Sequence, residues 1–270
     1  MVTSQDDYLK LLDLTFRVAN SLKGKPAPNH RIPDCNKLAQ KLYYHAATVY
    51  WLNQGTNAPV PTPEGTHIFD FASVAVITRA VLETYLTMYE LFFEPITDDE
   101  QEFRHAYWLL SGYLIREKYI TDHPNAKASL GNWLREINEL RFRIQKTLYF
   151  ATLSKGTQKR CLDGDMPNKS FEKRLEVAGF APKFTLRAQR YLSGYVHSDG
   201  LVADQIKKAK SEDEQKKYIR SYMHLIMMVM SKMILLYKSK FPSAEAWCMA
   251  KPEILQLAEI WSDTTRRLDA

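Results

Sequence analysis

Apolar residues recur at three- and four-residue intervals along nearly the whole chain, and no stretch sustains a period of two. The pattern predicts helices. The first runs over residues 5–23, with Tyr8, Leu11, Leu12, Leu14, Phe16, Val18 and Leu22 at mixed helical spacings, and Lys23-Gly24-Lys25-Pro26 stops it. A second covers 34–53, with Asp34 as its predicted N-cap and Leu38, Leu42, Tyr43, Ala46, Val49 and Tyr50 as its buried stripe. From Gly55 to His67 the chain carries Pro59, Pro61, Pro63 and Gly65, which cannot continue a helix and predict an exposed linker.

A third helix, over 68–93, is apolar nearly all round and is expected at the centre; Arg79 and Glu83, one turn apart, are its exceptions. Pro95 ends it, and Thr97-Asp98-Asp99-Glu100 offers a cap for a fourth helix reaching about residue 120. Further helices are expected over 125–153, 171–178 with Gly179 as its left-handed stop, 182–198 from Pro182, 212–237 and 252–267. The segments around Gly156 to Pro167 and before residue 212 read as loops. The expected fold is all-α, a bundle of about seven to nine helices. Its expected parts are an N-terminal helical pair (1–54), the Pro-rich linker (55–67), a main bundle (68–241) and a C-terminal helix (242–270).

Composition agrees, since only 10 of the 270 residues are Gly and 45% are apolar. Cys35, Cys161 and Cys248 are odd in number and far apart, so they predict neither a disulfide framework nor a metal pair. With acids among the first residues in place of a signal-peptide pattern, a cytoplasmic location is expected. The most apolar run, Leu225–Tyr237, is interrupted at Ser231 and Lys232, well short of the roughly 20 residues that span a bilayer, so no membrane is expected. No H-E-x-x-H, P-loop or G-x-G-x-x-G is present, and neither metal nor cofactor is expected. His224, in an apolar helix, reads as a core residue, and the aromatic residues read chiefly as core filling.

Net charge is +6, but it is uneven: residues 1–100 sum to −4 and residues 101–270 to +10. Residues 141–190 hold 12 basic side chains, Arg141 and Arg143 among them, against 4 acidic. Such a concentration is either a solvated face or a surface that attracts phosphates by releasing their counterions. On a wheel turning about 100° per residue, Lys183, Arg187, Arg190, Gly194 and His197 fall within about 40° of one line. Phe184, Ala188, Tyr191, Leu192, Tyr195 and Val196 take the other side, expected to be buried. Arginine forks onto phosphate oxygens, and histidine can take and return a proton near neutrality. Gly194 costs about 1 kcal/mol relative to Ala in a helix interior, which predicts close approach of a partner helix or a ligand.

Arg190-Tyr-Leu-Ser-Gly-Tyr-Val-His197 resembles the R-x4-6-H motif of the HEPN superfamily of helical nucleotide-binding domains. Tyr191, Leu192, Ser193, Tyr195 and Val196, with Arg79-Ala-Val-Leu-Glu83 upstream, are also similar to uncharacterised bacterial helical families grouped loosely with it. The resemblance covers residues 68–241. It implies RNA as partner and metal-independent cleavage at a site composed by two copies of the motif in a homodimer, in a defence or toxin–antitoxin setting. Arg190 would hold the phosphate and His197 would serve as general acid or base. Apart from the resemblance, the clustered charge makes Lys183, Arg187, Arg141 and Arg143 the expected nucleic-acid contacts. The residue after the motif arginine is often polar in active members and is Tyr191 here; relatives that only bind nucleotides or protein partners belong to the same superfamily. Arg79 and Glu83 have two readings: an i, i+4 ion pair, or a Glu83 that orients His197.

Overall fold

The periodic apolar stripes fold as helices. The computed structural model describes residues 5–57, 67–118, 124–166 and 169–268. In chain order come α1 (Gln5–Ala19), α2 (Ile32–Leu52), the strands β1 (Thr56–Asn57) and β2 (His67–Ile68), α3 (Phe71–Phe92), α4 (Asp98–Lys118), α5 (Pro124–Lys146) and α6 (Leu148–Thr152). Then follow α7 (Lys155–Leu162), α8 (Phe171–Val177), α9 (Pro182–His197), α10 (Gly200–Lys208), α11 (Glu212–Lys240), α12 (Pro242–Met249) and α13 (Pro252–Arg267). The all-α expectation holds, but thirteen helices lie among the described residues, not seven to nine. Four short helices account for the difference. Thr147 turns to an extended ψ of 142° and its side chain accepts from the Phe150 amide, which splits α6 from α5. Ser154 likewise caps α7 by accepting from the Thr157 amide, in a stretch that reads as loop. α10 and α12 are the other two, each only two turns long and too short for a clear apolar period.

Other expectations shift by a few residues. α2 begins at Ile32 after Arg31, with no side-chain cap, so Asp34 sits in its first turn and is not the N-cap. Thr97 caps α4 as expected, its hydroxyl accepting from the Glu100 amide at 3.2 Å. The prolines at 59, 61 and 63, with Gly65 and Pro167, lie outside the described residues. The linker segment is flanked by an antiparallel ladder that pairs Thr56 with Ile68 and Asn57 with His67.

The chain divides into two compact units, one from residues 1–93 with 171–270 and one from residues 94–170. In the first unit α11 is central: α1, α3, α12 and α13 all pack on it, and α2 packs along α3. Ser211 and Glu214 form a reciprocal capping box at its start. Its middle is sealed, with Ile226, Val229, Met230, Met233 and Ile234 buried, each worth about 1.5–3 kcal/mol of transfer free energy. α3 and α11 are long and apolar enough, by length and composition, to cross a membrane, which the sequence run alone does not reach. In each, more than half of the apolar window, 56% and 72%, is buried among other helices, as the central helices of a bundle are.

Lys232 interrupts this apolar helix for a structural reason. Buried at 5% exposure, it donates from Nζ to the Gly179 carbonyl at 2.6 Å and lies over the Phe180 ring. Gly179 has φ +71°, the left-handed stop of α8 that glycine adopts without penalty. The Ala181 amide then donates to the Thr265 carbonyl of α13 at 2.7 Å. These bonds fix where α9 starts and how it is rotated.

The second unit is built on the α4–α5 pair around Phe103, Leu110, Ile137, Leu140 and Ile144. The Asp99 carboxylate accepts from the Leu148 and Tyr149 amides at 3.0 and 2.7 Å, serving the open end of α6. Glu94 accepts from Arg104 and Lys169. Burial alone would raise its pKa, but those two cations more than offset it and hold the carboxyl below its usual range.

Candidate functional site

α9 carries the candidate residues. Proline at its first turn supplies a φ suited to helix initiation, and Ser198, with φ 55°, ends it in the left-handed region. The Ser198 and Asp199 amides both donate to the Gly194 carbonyl, so the helix closes just past His197.

Arg187, Arg190 and His197 are all exposed, as the wheel predicts. Neither arginine has an ion-pair or hydrogen-bond partner among the described residues. Lys183 is exposed at the start of the same line. Arg187 and Arg190 are three residues apart, which places their side chains side by side at a Cβ separation of roughly 5–6 Å. His197 lies two turns beyond Arg190, roughly 10 Å along the axis. Two guanidinium groups in this arrangement can take neighbouring phosphates. One chain's Arg190 and His197 are too far apart to meet easily on a single phosphate.

Leu192 and Tyr195 bury as expected, but Phe184 and Val196 are 39% and 43% exposed, so the opposite side of α9 is only half covered. Tyr195 donates to Gln205 of α10 at 2.7 Å, and its hydroxyl lies 3.2 Å from that of Tyr191. Burial pushes the Tyr195 phenol well above its ordinary range, which keeps it a protonated donor. Ser193 bonds back to the Gln189 carbonyl at 2.9 Å and accepts from the Gln189 side chain, so it serves its own helix. Gly194 is buried, and a Cβ there would meet Asp199 Oδ2 at 3.2 Å and Val202 at 3.4 Å. The close approach is made by the turn into α10 of the same chain, not by a ligand.

Arg79 Nε donates to Glu83 at 2.8 Å, the i, i+4 ion pair that was one of the two readings. Among the described residues no ion pair joins Glu83 to His197. Glu90, two turns on, is taken by Arg174 at 3.1 Å. Arg141 and Arg143 belong to the second unit: Arg141 donates to the Leu162 carbonyl, and Arg143 pairs with Glu102. Lys169 and Arg160 of the same basic stretch are paired with Glu94 and Asp165. Part of its positive charge is therefore spent within the protein; among the described residues Arg187 and Arg190 of α9, like Lys155 and Lys159 of α7, are exposed and have no ion pair.

Sequence reasoning missed an apolar groove on the reverse side of α9. It has a volume of about 480 Å³ and lies between α9, α11 and α13, all of one unit. Its only signal in the sequence is that Phe184, Ala188 and Tyr191 share a stripe, which reads as core. No family model, curated protein or solved structure matches this chain.

Proposed function

We propose that this chain is an RNA-binding protein of HEPN-like character, and that two copies together cut RNA without a metal ion. The single observation that carries the reading is the exposed, unpartnered line of Arg187, Arg190 and His197 in a stretch where several other cations are paired. In the proposed reaction one His197 takes the proton of the 2′-hydroxyl as that oxygen attacks the adjacent phosphorus. The bond to the 5′-oxygen breaks, the second copy's His197 returns a proton to the leaving oxygen, and Arg190 stabilises the charge on the phosphorane. The roughly 10 Å between Arg190 and His197 along one helix favours a composite site over a single-chain one. The defence or toxin–antitoxin setting and the cytoplasmic location belong to the same proposal and rest on the resemblance.

The test is single-stranded RNA binding followed across salt, with cleavage assayed in EDTA. The double variant R187A/R190A is expected to weaken binding about tenfold and to flatten the salt slope by roughly 1.4, the value for two lost phosphate contacts on a single strand. H197A is expected to abolish cleavage with binding within about twofold of wild type. Binding that ignores salt, or cleavage that survives H197A, overturns the reading. A second reading has one observation in its favour, the internally satisfied Arg79–Glu83 pair. It makes the chain a non-catalytic helical interaction protein, and a folded protein with no RNA binding at low salt would support it.

A further inference from the structure

The groove behind α9 has a chemistry different from the ridge in front of it. Its floor and walls include Leu192, Leu225, Met228, Trp261 and Tyr222, with Ala188 leaving room on the α9 side. At about 480 Å³ it has the capacity of a small-molecule site, inside the roughly 300–1,000 Å³ range of such pockets. A docked helix, about 10–12 Å across with its side chains, would need far more room.

The polar atoms of the wall are mostly engaged. Ser221 donates to the Lys217 carbonyl at 3.1 Å, and Thr264 donates to the Ile260 carbonyl at 2.9 Å. The Tyr191 hydroxyl is occupied by Tyr195. Burial holds the His224 imidazole below its ordinary pKa, so it is neutral at pH 7. A ligand with polar edges all round, such as a nucleobase, would leave its donors and acceptors unmet in this wall at a cost of about 1–3 kcal/mol each. An apolar body would not.

Three cations stand at the margin of the groove, with Glu214 close enough to Lys217 for the two charges to interact. Arg187 stands three residues after Phe184 and four before Tyr191, both of which line the groove. Lys217 precedes Ser221 by four residues and Arg220 precedes His224 by four, so both continue the lining stripe of α11 by one turn. All three cations are exposed, and none has an ion pair among the described residues. No lining residue is acidic, and Asp263, beside Thr264, is paired with Arg267 on its own helix.

We propose that this groove binds a single-chain carboxylate amphiphile of the fatty-acid class. The alkyl chain lies against Leu192, Leu225 and Met228, and the head group meets the cations flanking the wall. The site is separate from the RNA ridge, apart from Arg187 at its margin, and does not depend on the RNA reading.

The test titrates the full-length chain with decanoate, decylamine and decanol at concentrations where each is monomeric. Trp261 emission reports binding, and W261F identifies its signal among those of the other tryptophans. Decanoate is expected to bind at least tenfold tighter than decylamine, and K217A/R220A to remove most of that preference while Arg187 stays intact. A188W, which fills the groove from α9, is expected to weaken decanoate at least tenfold with an unchanged circular dichroism spectrum. T264W fills it from the opposite wall and serves should A188W not fold. Equal binding of decanoate and decylamine overturns the proposal by itself, on wild-type protein. So does decanoate binding that survives a folded, filled groove, or the absence of any binding up to the solubility limit.

Discussion

Gly194 shows how one residue can carry two meanings. In the sequence it marks a face where something comes close. In the structure the neighbours are Asp199 and Val202 of the following turn and helix. The Asp199 oxygen at 3.2 Å is the end of an exposed side chain that can swing away, and Val202 at 3.4 Å is in ordinary contact. Gly194→Ala is therefore expected to stabilise slightly, by up to about 1 kcal/mol in urea unfolding, because alanine loses less backbone entropy in a helix. RNA binding should not change. A loss of more than about 1 kcal/mol would mean that the turn into α10 cannot yield. The exposure of Arg190 and His197 is legible in the sequence from their shared line on the wheel. The pairing of Arg141 and Arg143 is not, because Leu162 and Glu102 are brought to them only by the fold.

At the level of elements, the long amphipathic helices are legible because each presents enough turns to show a period. α1, α2, α3, α9 and α11 begin and end within a few residues of expectation. α6, α7, α10 and α12 are one to two turns long, and α6, α7 and α12 are defined by a hydroxyl cap or a proline rather than by a stripe. α11 offers a direct check of such a cap. Ser211 accepts from the Glu214 amide at 3.3 Å, while the Glu214 carboxylate accepts from the Ser211 and Lys210 amides. S211A is expected to cost about 1 kcal/mol and S211G only a few tenths, measured by urea unfolding. Equal losses in the two variants would show that the serine acts through packing and not through its cap. The groove between α9, α11 and α13 was illegible for a related reason. Phe184 and Tyr191 have the pattern of core residues, and only the spacing of three helices shows that the space beside them is left open.

For the molecule as a whole, acid should act in two stages. Burial holds His224 below its ordinary pKa, and burial with the charge of Lys41 does the same for His45. Folded, both resist protonation, whereas unfolded they take a proton near pH 6.5. Their share of stability is therefore complete above about pH 6.5 and declines as pH falls below it toward the lowered folded values. Glu94 and Asp13 also lose their share in acid, but lower on the pH scale and because their charged form is the one held. Burial raises each, but Arg104 and Lys169 on one, and Arg17 and Lys251 on the other, hold them low. Their share is present above the ordinary carboxylate range, about pH 4, and is lost as pH falls below it. Melting temperature should be level from pH 8 to about 6.5, fall in a first step toward pH 5, and fall again below about pH 4. H45Q/H224Q should shrink the first step and leave the second. A curve flat down to pH 5 would contradict the buried histidines.

The insertion of residues 94–170 between Phe93 and Phe171 bears on synthesis. α1, α2 and α3 leave the ribosome early, but the central helix on which α1 and α3 pack ends at Lys240. At about 5–20 residues per second, the 147 residues from Phe93 to Lys240 take roughly 7–30 s to translate. Through that interval α1 and α3 lack the central helix they pack on, although the α2–α3 pair is already present, and from residue 170 onward the inserted unit is complete. Slower translation through residues 94–240 is therefore expected to change the yield of native protein.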